Sequence, residues 1–140
     1  MTDGWTVEKM YELGSRHARI EAEKDLDALM DTMVPEPVYE FYPIRKTLRG
    51  ASNVRRYYRQ FMDNFMATIV DYQLIEEWVN TTSVAQEYSI TVEVDGVRET
   101  HRTIGVLYAD GHLLGGERIY GSEEMIRQFA GDMYDQLEPM

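Results

Sequence analysis

The sequence predicts an α+β domain, with helices before residue 66, an antiparallel meander of strands after it, and one closing helix. Three observations carry this reading. Apolar residues recur at helical spacing from Val7 and again from Val54. Segments of strand-like alternation fill 68–120, and two glycine turns, Asp95-Gly96 and Ala109-Asp110-Gly111, cut that stretch into hairpins. At 140 residues the chain reads as one domain, 1–140, large enough for a single core.

Thr6 caps a first helix whose stripe is Val7, Met10, Gly14, His17 and Ile20. Asp25 starts a second, with Leu26, Leu29, Met30 and Met33 on its apolar side. Pro35 is expected to stop that helix, and Pro35 with Pro37 to bound an element. Val38-Tyr39-Glu40-Phe41-Tyr42 reads as a short strand closed by Pro43. Gly50 and Ser52 introduce a third helix, striped by Val54, Tyr57, Tyr58, Phe61 and Phe65. Strands follow at roughly 68–79, 84–94, 97–109 and 113–120. Ser122-Glu123-Glu124 opens the last helix, a capping residue followed by carboxylates at the positive end of the helix dipole. Ile126, Phe129 and Met133 pack it.

The turns also set which side chains share a face. Asp95-Gly96 pairs Val94 with Val97, so Ile90 faces His101 and Tyr88 faces Thr103. A loop of Ala109 to Gly111 sets Tyr108 opposite His112 and Thr103 opposite Glu117. Both registers gather Tyr88, Ile90, Val92, His101, Thr103, Gly105, Glu117 and Ile119 on the inner face. His101 and Glu117 become diagonal neighbours, about 7–8 Å apart at Cα. The outer face carries Ile104, Val106, Tyr108, Leu114 and Tyr120, an apolar stripe that predicts a homodimer.

Composition narrows the class. A net charge of −11 with only 14 Lys and Arg argues against nucleic acid and anionic membranes as partners. The absence of Cys removes disulfides, thiolate metal sites and a Cys nucleophile. No apolar leader and no run of membrane-spanning length is present, so a soluble, cytoplasmic protein is expected. Nine Met and ten Tyr allow a roomy interior.

The order of elements resembles the nuclear transport factor 2-like superfamily, and within it the SnoaL-like group. The residues carrying the resemblance are Asp25 to Met30, Val38 to Pro43, Gly50 to Phe61, Tyr108 to Leu113 and Gly116 to Tyr120. The resemblance implies a cone: a curved mixed sheet wrapped around the N-terminal helices, a cystatin-like α+β barrel with a pocket at its open end. It also points to sheet-to-sheet dimers. The superfamily holds ketosteroid isomerases, scytalone dehydratases, limonene epoxide hydrolases and polyketide cyclases, so the fold alone does not name a reaction. Where the steroid isomerases place their base, oxyanion-holding acid and first-helix Tyr, this chain has Tyr42, Gly105 and His17. Only their supporting Tyr has a counterpart, Tyr58. The Asp-Arg-Asp set of the epoxide hydrolases meets Gly105 and Glu117 or Arg118. His17, His101, Tyr42 and Tyr58 match the residue types of scytalone dehydratase without matching its positions.

Three residues are therefore candidates for chemistry: His101, Glu117 and His17. A buried carboxylate is rare unless paired or functional, which singles out Glu117. His101 or His17 would move the proton, because an unperturbed imidazole titrates near neutrality. Tyr42, Tyr58, Trp78, Tyr88, Ile90, Thr103 and Ile119 are expected to line the pocket. No spacing motif supports a metal set from His17, His101 and Glu117, and no cofactor is expected. The leading reading is a cofactor-independent acid–base enzyme, a dehydratase, isomerase or cyclase acting on a small hydrophobic cyclic or aromatic molecule. A non-catalytic binder of such a molecule, and a dimeric assembly module, are the alternatives. A pocket without a Lys/Arg cluster or a phosphate loop disfavours phosphorylated ligands and sugars.

Overall fold

A computed structural model describes residues 4–140. Four helices, α1 (Val7–Ala22), α2 (Leu26–Met30), α3 (Ala51–Gln60) and α4 (Glu123–Ala130), pack against a seven-strand curved mixed sheet. The strands are β1 (Met33–Tyr42), β2 (Lys46–Arg49), β3 (Ile69–Val79), β4 (Ser83–Val94), β5 (Val97–Asp110), β6 (Leu113–Tyr120) and β7 (Glu138–Pro139). Their order is β3-β4-β5-β6-β1-β2-β7, antiparallel except where β1 runs parallel to β6.

The caps are those the sequence signals. Thr6 accepts from the Lys9 amide and Ser122 from the Met125 amide, each satisfying a donor that a helix start leaves free. On α1, Met10, Leu13, Gly14, His17 and Ile20 are buried, while Val7 is exposed one turn too early to reach the core. The stripe of α3 runs on through a π-helical turn at Phe61–Phe65, which keeps Phe65 buried beside Tyr57 and Tyr58.

Pro35 and Pro37 do not bound an element. α2 ends at Met30, and both prolines lie inside β1, which begins at Met33. They are tolerated because pairing with β6 is interrupted between Met33 and Val38, so neither position owes that ladder an N–H. The short strands β2 and β7 have no counterpart in the sequence reading; two to four residues are too few to show a period.

The β4–β5 hairpin has the predicted register, Val94 opposite Val97, Ile90 opposite His101 and Tyr88 opposite Thr103. Asp95 and Gly96 both have positive φ, as a two-residue turn of this hand requires. The β5–β6 register differs. The chain reverses over Gly111-His112, with Asp110 opposite Leu113, and a bulge at Gly115 then sets Tyr108 opposite Gly116 and Leu107 opposite Glu117. Gly116 sits at φ 150°, where a Cβ would overlap the Val38 carbonyl oxygen, so only Gly lets β1 and β6 meet there.

The net displacement from the predicted pairing is four residues, an even number, so Glu117 keeps the inner face although its partner changes. Thr103 is not opposite Glu117. His101 lies six residues before Leu107 on β5, about 20 Å away along the strand, and the expected diagonal pair with Glu117 does not form. Three of those four residues come from the turn, an odd shift that sends Leu114 into the core opposite Ala109, fully buried and off the outer stripe; the bulge adds the fourth and returns Glu117 to the inner face.

Candidate active site

Between α1 and the concave face of β4, β5 and β6 lies a cavity of about 350 Å³, closed by the end of α3, the π-helical turn and α4. Ile90, Leu107, Ile119, Phe61, Phe65 and Phe129 give it apolar walls. His17, Glu21, Tyr58, Tyr88, Gln86, Thr103 and Glu117 supply polar groups, and neither Lys nor Arg lines it. It thus gathers seven of the ten site residues expected from the sequence.

The other three lie elsewhere. Tyr42 follows Tyr39 and Phe41, which take the inner side of β1; its own ring stacks on Tyr120 at 5.1 Å and its hydroxyl donates to Glu40 Oε1 at 2.6 Å. Trp78 stands 44% exposed on the edge strand β3. His101 faces inward but sits beyond the cavity, with Nε2 3.3 Å from Glu99 Oε2. A metal set of His17, His101 and Glu117 is therefore excluded by distance.

Polar contacts radiate from Tyr58. Its hydroxyl lies 2.6 Å from that of Tyr39, 3.3 Å from His17 Nε2 and 3.5 Å from Glu117 Oε1, so its one proton has both His17 and Glu117 within reach. The Thr32 hydroxyl donates its one proton to the Leu29 carbonyl at 2.7 Å, so at its 2.8 Å contact with His17 it must accept. His17 therefore carries its proton on Nδ1 and turns the Nε2 lone pair toward Tyr58.

Burial sets the protonation states. Desolvation lowers His17 to about 3, so its imidazole is neutral at neutral pH. Desolvation raises Glu21 to about 7. Glu117 is raised to about 8, first by desolvation and then by the charge of Glu21, with the Tyr58 hydrogen bond opposing. Two carboxyls of one cavity thus titrate at neutrality and just above it. The one with the higher value is a neutral acid able to donate a hydrogen bond; the other is a carboxylate on the edge of ionisation.

Glu21 was missed in the sequence because it flanks the α1 stripe and looks like a solvated charge. Its signal is the spacing from His17: at i+4 it shares that face of the helix, with Oε2 3.9 Å from His17 Nε2. Gly105 brings no side chain to the cavity, and that absence has a use. A Cβ there would overlap Glu117 Oε2, so the carboxyl reaching across from β6 occupies space that a β5 side chain would fill. Gly105→Ala is accordingly expected to displace the Glu117 carboxyl and weaken binding of a cavity ligand, read by calorimetry, while the thermal midpoint changes by only a few degrees.

No family model matches this sequence, and no curated protein matches it. Solved structures do. The chain is similar to an NTF2-like protein from Burkholderia xenovorans LB400, with TM-score 0.69, 10% identity, and coverage of 91% of this chain and all (100%) of that one. A structure from Kribbella flavida, named as a proposed ketosteroid isomerase, has TM-score 0.66 and 12% identity, covering 84% and 80%. PrhC from Penicillium brasilianum has TM-score 0.67 and 12% identity, covering 94% and 98%. The chain has the nuclear transport factor 2-like, or ketosteroid isomerase-like, fold. At these identities the likeness concerns the fold alone. No helix among the described residues is long and apolar enough to cross a membrane.

Proposed function

We propose that the protein is a cofactor-independent proton-transfer enzyme, an isomerase-type catalyst for a small, uncharged, hydrophobic cyclic or aromatic molecule bearing a carbonyl group. One observation carries this reading: Glu21 and Glu117 share an apolar cavity with Tyr58, at about 7 and about 8. The Glu21 carboxylate takes a proton from the carbon beside the carbonyl, being near-matched to neutral pH. The electron pair moves into the carbonyl, and the developing oxyanion accepts hydrogen bonds from protonated Glu117 and from the Tyr58 hydroxyl, which turns its one proton from His17 Nε2 to the oxyanion. Glu21 then returns the proton to the same carbon or to a conjugated one. His17 is a positioning residue; its Nε2 holds Tyr58 and, being neutral, adds no charge. Anionic substrates are disfavoured because no cation lines the cavity. Within the fold, the motif order quoted above supports placement beside the SnoaL-like group.

The assay needs only the substrate class. Cyclic ketones in deuterium oxide, followed by NMR, should exchange the hydrogens beside their carbonyl faster with the protein than in buffer. A ligand that binds but exchanges at the buffer rate would favour the non-catalytic binding reading instead.

We also propose a homodimer through the sheet, on corrected residues. With Leu114 buried, and the Tyr108 hydroxyl donating to the Val38 carbonyl, the apolar side chains left on the outward face are Trp78 of β3, Ile104 and Val106 of β5, and Tyr120 of β6. Light scattering at micromolar concentration should give twice the 16.4 kDa chain mass, and a monomer would contradict the proposal.

A further inference from the structure

Outside the cavity, a second cluster of chemistry-bearing side chains joins the sheet to α4. Glu99 and His101 are two residues apart on β5 and so project from the same face. Glu124, in the first turn of α4, closes on them: one ligand atom from each of the three lies within 4.8 Å of the others. The Glu99 and Glu124 carboxyls thus converge on the imidazole from two different elements, two like groups held close together. His101 supplies the independent sign. Its side chain is only 13% exposed and its Nε2 is buried without a hydrogen-bond partner; the 3.3 Å approach to Glu99 lacks the alignment of a hydrogen bond. A buried ring nitrogen with unspent bonding capacity, beside two converging carboxylates, is costly unless something fills the gap.

We propose that Glu99, His101 and Glu124 bind a divalent first-row transition ion of the Zn²⁺ type. One imidazole nitrogen and two carboxylate oxygens suit Zn²⁺ or Co²⁺ better than Mg²⁺, which prefers an all-oxygen shell with several waters. The exposed sides of Glu99 and Glu124 leave room for water to complete the coordination. The ion would tie β5 to the start of the helix that carries Phe129 into the cavity wall. It would not enter the proton transfer, since His101 lies outside the cavity.

The test uses the tag-free chain and the metals alone. Titration with Zn²⁺ by calorimetry should show one site of micromolar affinity, and Co²⁺ should develop visible d–d absorption. Zn²⁺ at about 100 times its Kd should raise the thermal midpoint by about 5–10 °C. His101→Gln should weaken Zn²⁺ binding at least tenfold. His112→Gln, which removes the exposed imidazole stacked on Trp5, should leave it unchanged. Should His101→Gln fail to fold, Glu99→Gln and Glu124→Gln, both at exposed carboxyls, provide the same test. Zn²⁺ binding no tighter than millimolar, or equal in all these variants, would overturn the proposal. Loss of binding in Glu117→Gln instead would move the ion into the cavity and overturn it equally.

Discussion

Glu21→Gln is expected to lower the rate of catalysed deuterium exchange by about 10²–10⁴-fold, the usual contribution of a positioned general base. The amide keeps the shape of the carboxyl but cannot accept the proton. Stability should hold or rise slightly, because the variant no longer carries a carboxyl that is costly to ionise in its surroundings. Wild-type exchange should follow a narrow bell with pH. The rate rises as Glu21 ionises through about 7 and falls as Glu117 loses its proton through about 8. Glu117→Gln should keep a neutral donor in place and so abolish the alkaline fall while retaining the acid limb. Exchange unaffected by Glu21→Gln would remove the base from the mechanism.

Stability itself should decline from mildly acid to mildly alkaline pH, opposite to the trend for proteins held by ionised carboxylates. Glu21 and Glu117 have folded values above the ordinary 4.5, so the stability they confer is fully present below about 4.5. It is lost as pH rises to about 7 and about 8 respectively, because over that span the unfolded chain has released protons that the folded chain retains. His17 has the opposite sign. Its folded value of about 3 lies below the ordinary 6.5, so stability from this group grows as pH rises from about 3 to 6.5. Each group alone accounts for about 1.4 kcal/mol per pH unit within its window. Between about 4.5 and 6.5 two descending contributions outweigh one ascending, and above that only the descents remain. Urea unfolding at a series of pH values should therefore place the maximum from these groups near pH 4.5, with a fall of several kcal/mol by pH 8. In Glu117→Gln the descent should be shallower by about 1.4 kcal/mol per pH unit. A profile flat across pH 5–8 would show that neither carboxyl is held protonated.

The fold was legible because its signals are local. Thr6 and Ser122 are caps, Asp95-Gly96 is a turn that only one hairpin geometry satisfies, and the stripe of α3 repeats at helical spacing. What escaped depended on partners distant in sequence. Pro35 and Pro37 stop a helix by local rules, but a break in the β1–β6 ladder lets a strand run through them. The turn lies three residues out of the expected register, which turns Leu114 inward and separates His101 from Glu117, and the bulge at Gly115, invisible to period-two reading, brings Glu117 back to the inner face. Seven expected pocket residues nevertheless met, because the displacement of β6 was even and inner faces stayed inner. Glu21 escaped for another reason: a charged residue at the edge of an amphipathic stripe looks solvated until the sheet that covers it is in place.

The protonation of the two cavity carboxyls is the claim on which the functional reading stands. Carbon-13 labelling of glutamate side chains, with Glu21→Gln and Glu117→Gln to assign the signals, follows each carboxyl through pH 3 to 10. The predicted result is one carboxyl titrating near 7 and another near 8, with Glu117 the last to ionise and its value falling when Glu21 is replaced. Both resonances titrating in the ordinary range near 4.5 would contradict the account, since neither a neutral donor nor a base poised at neutrality would then exist in the cavity.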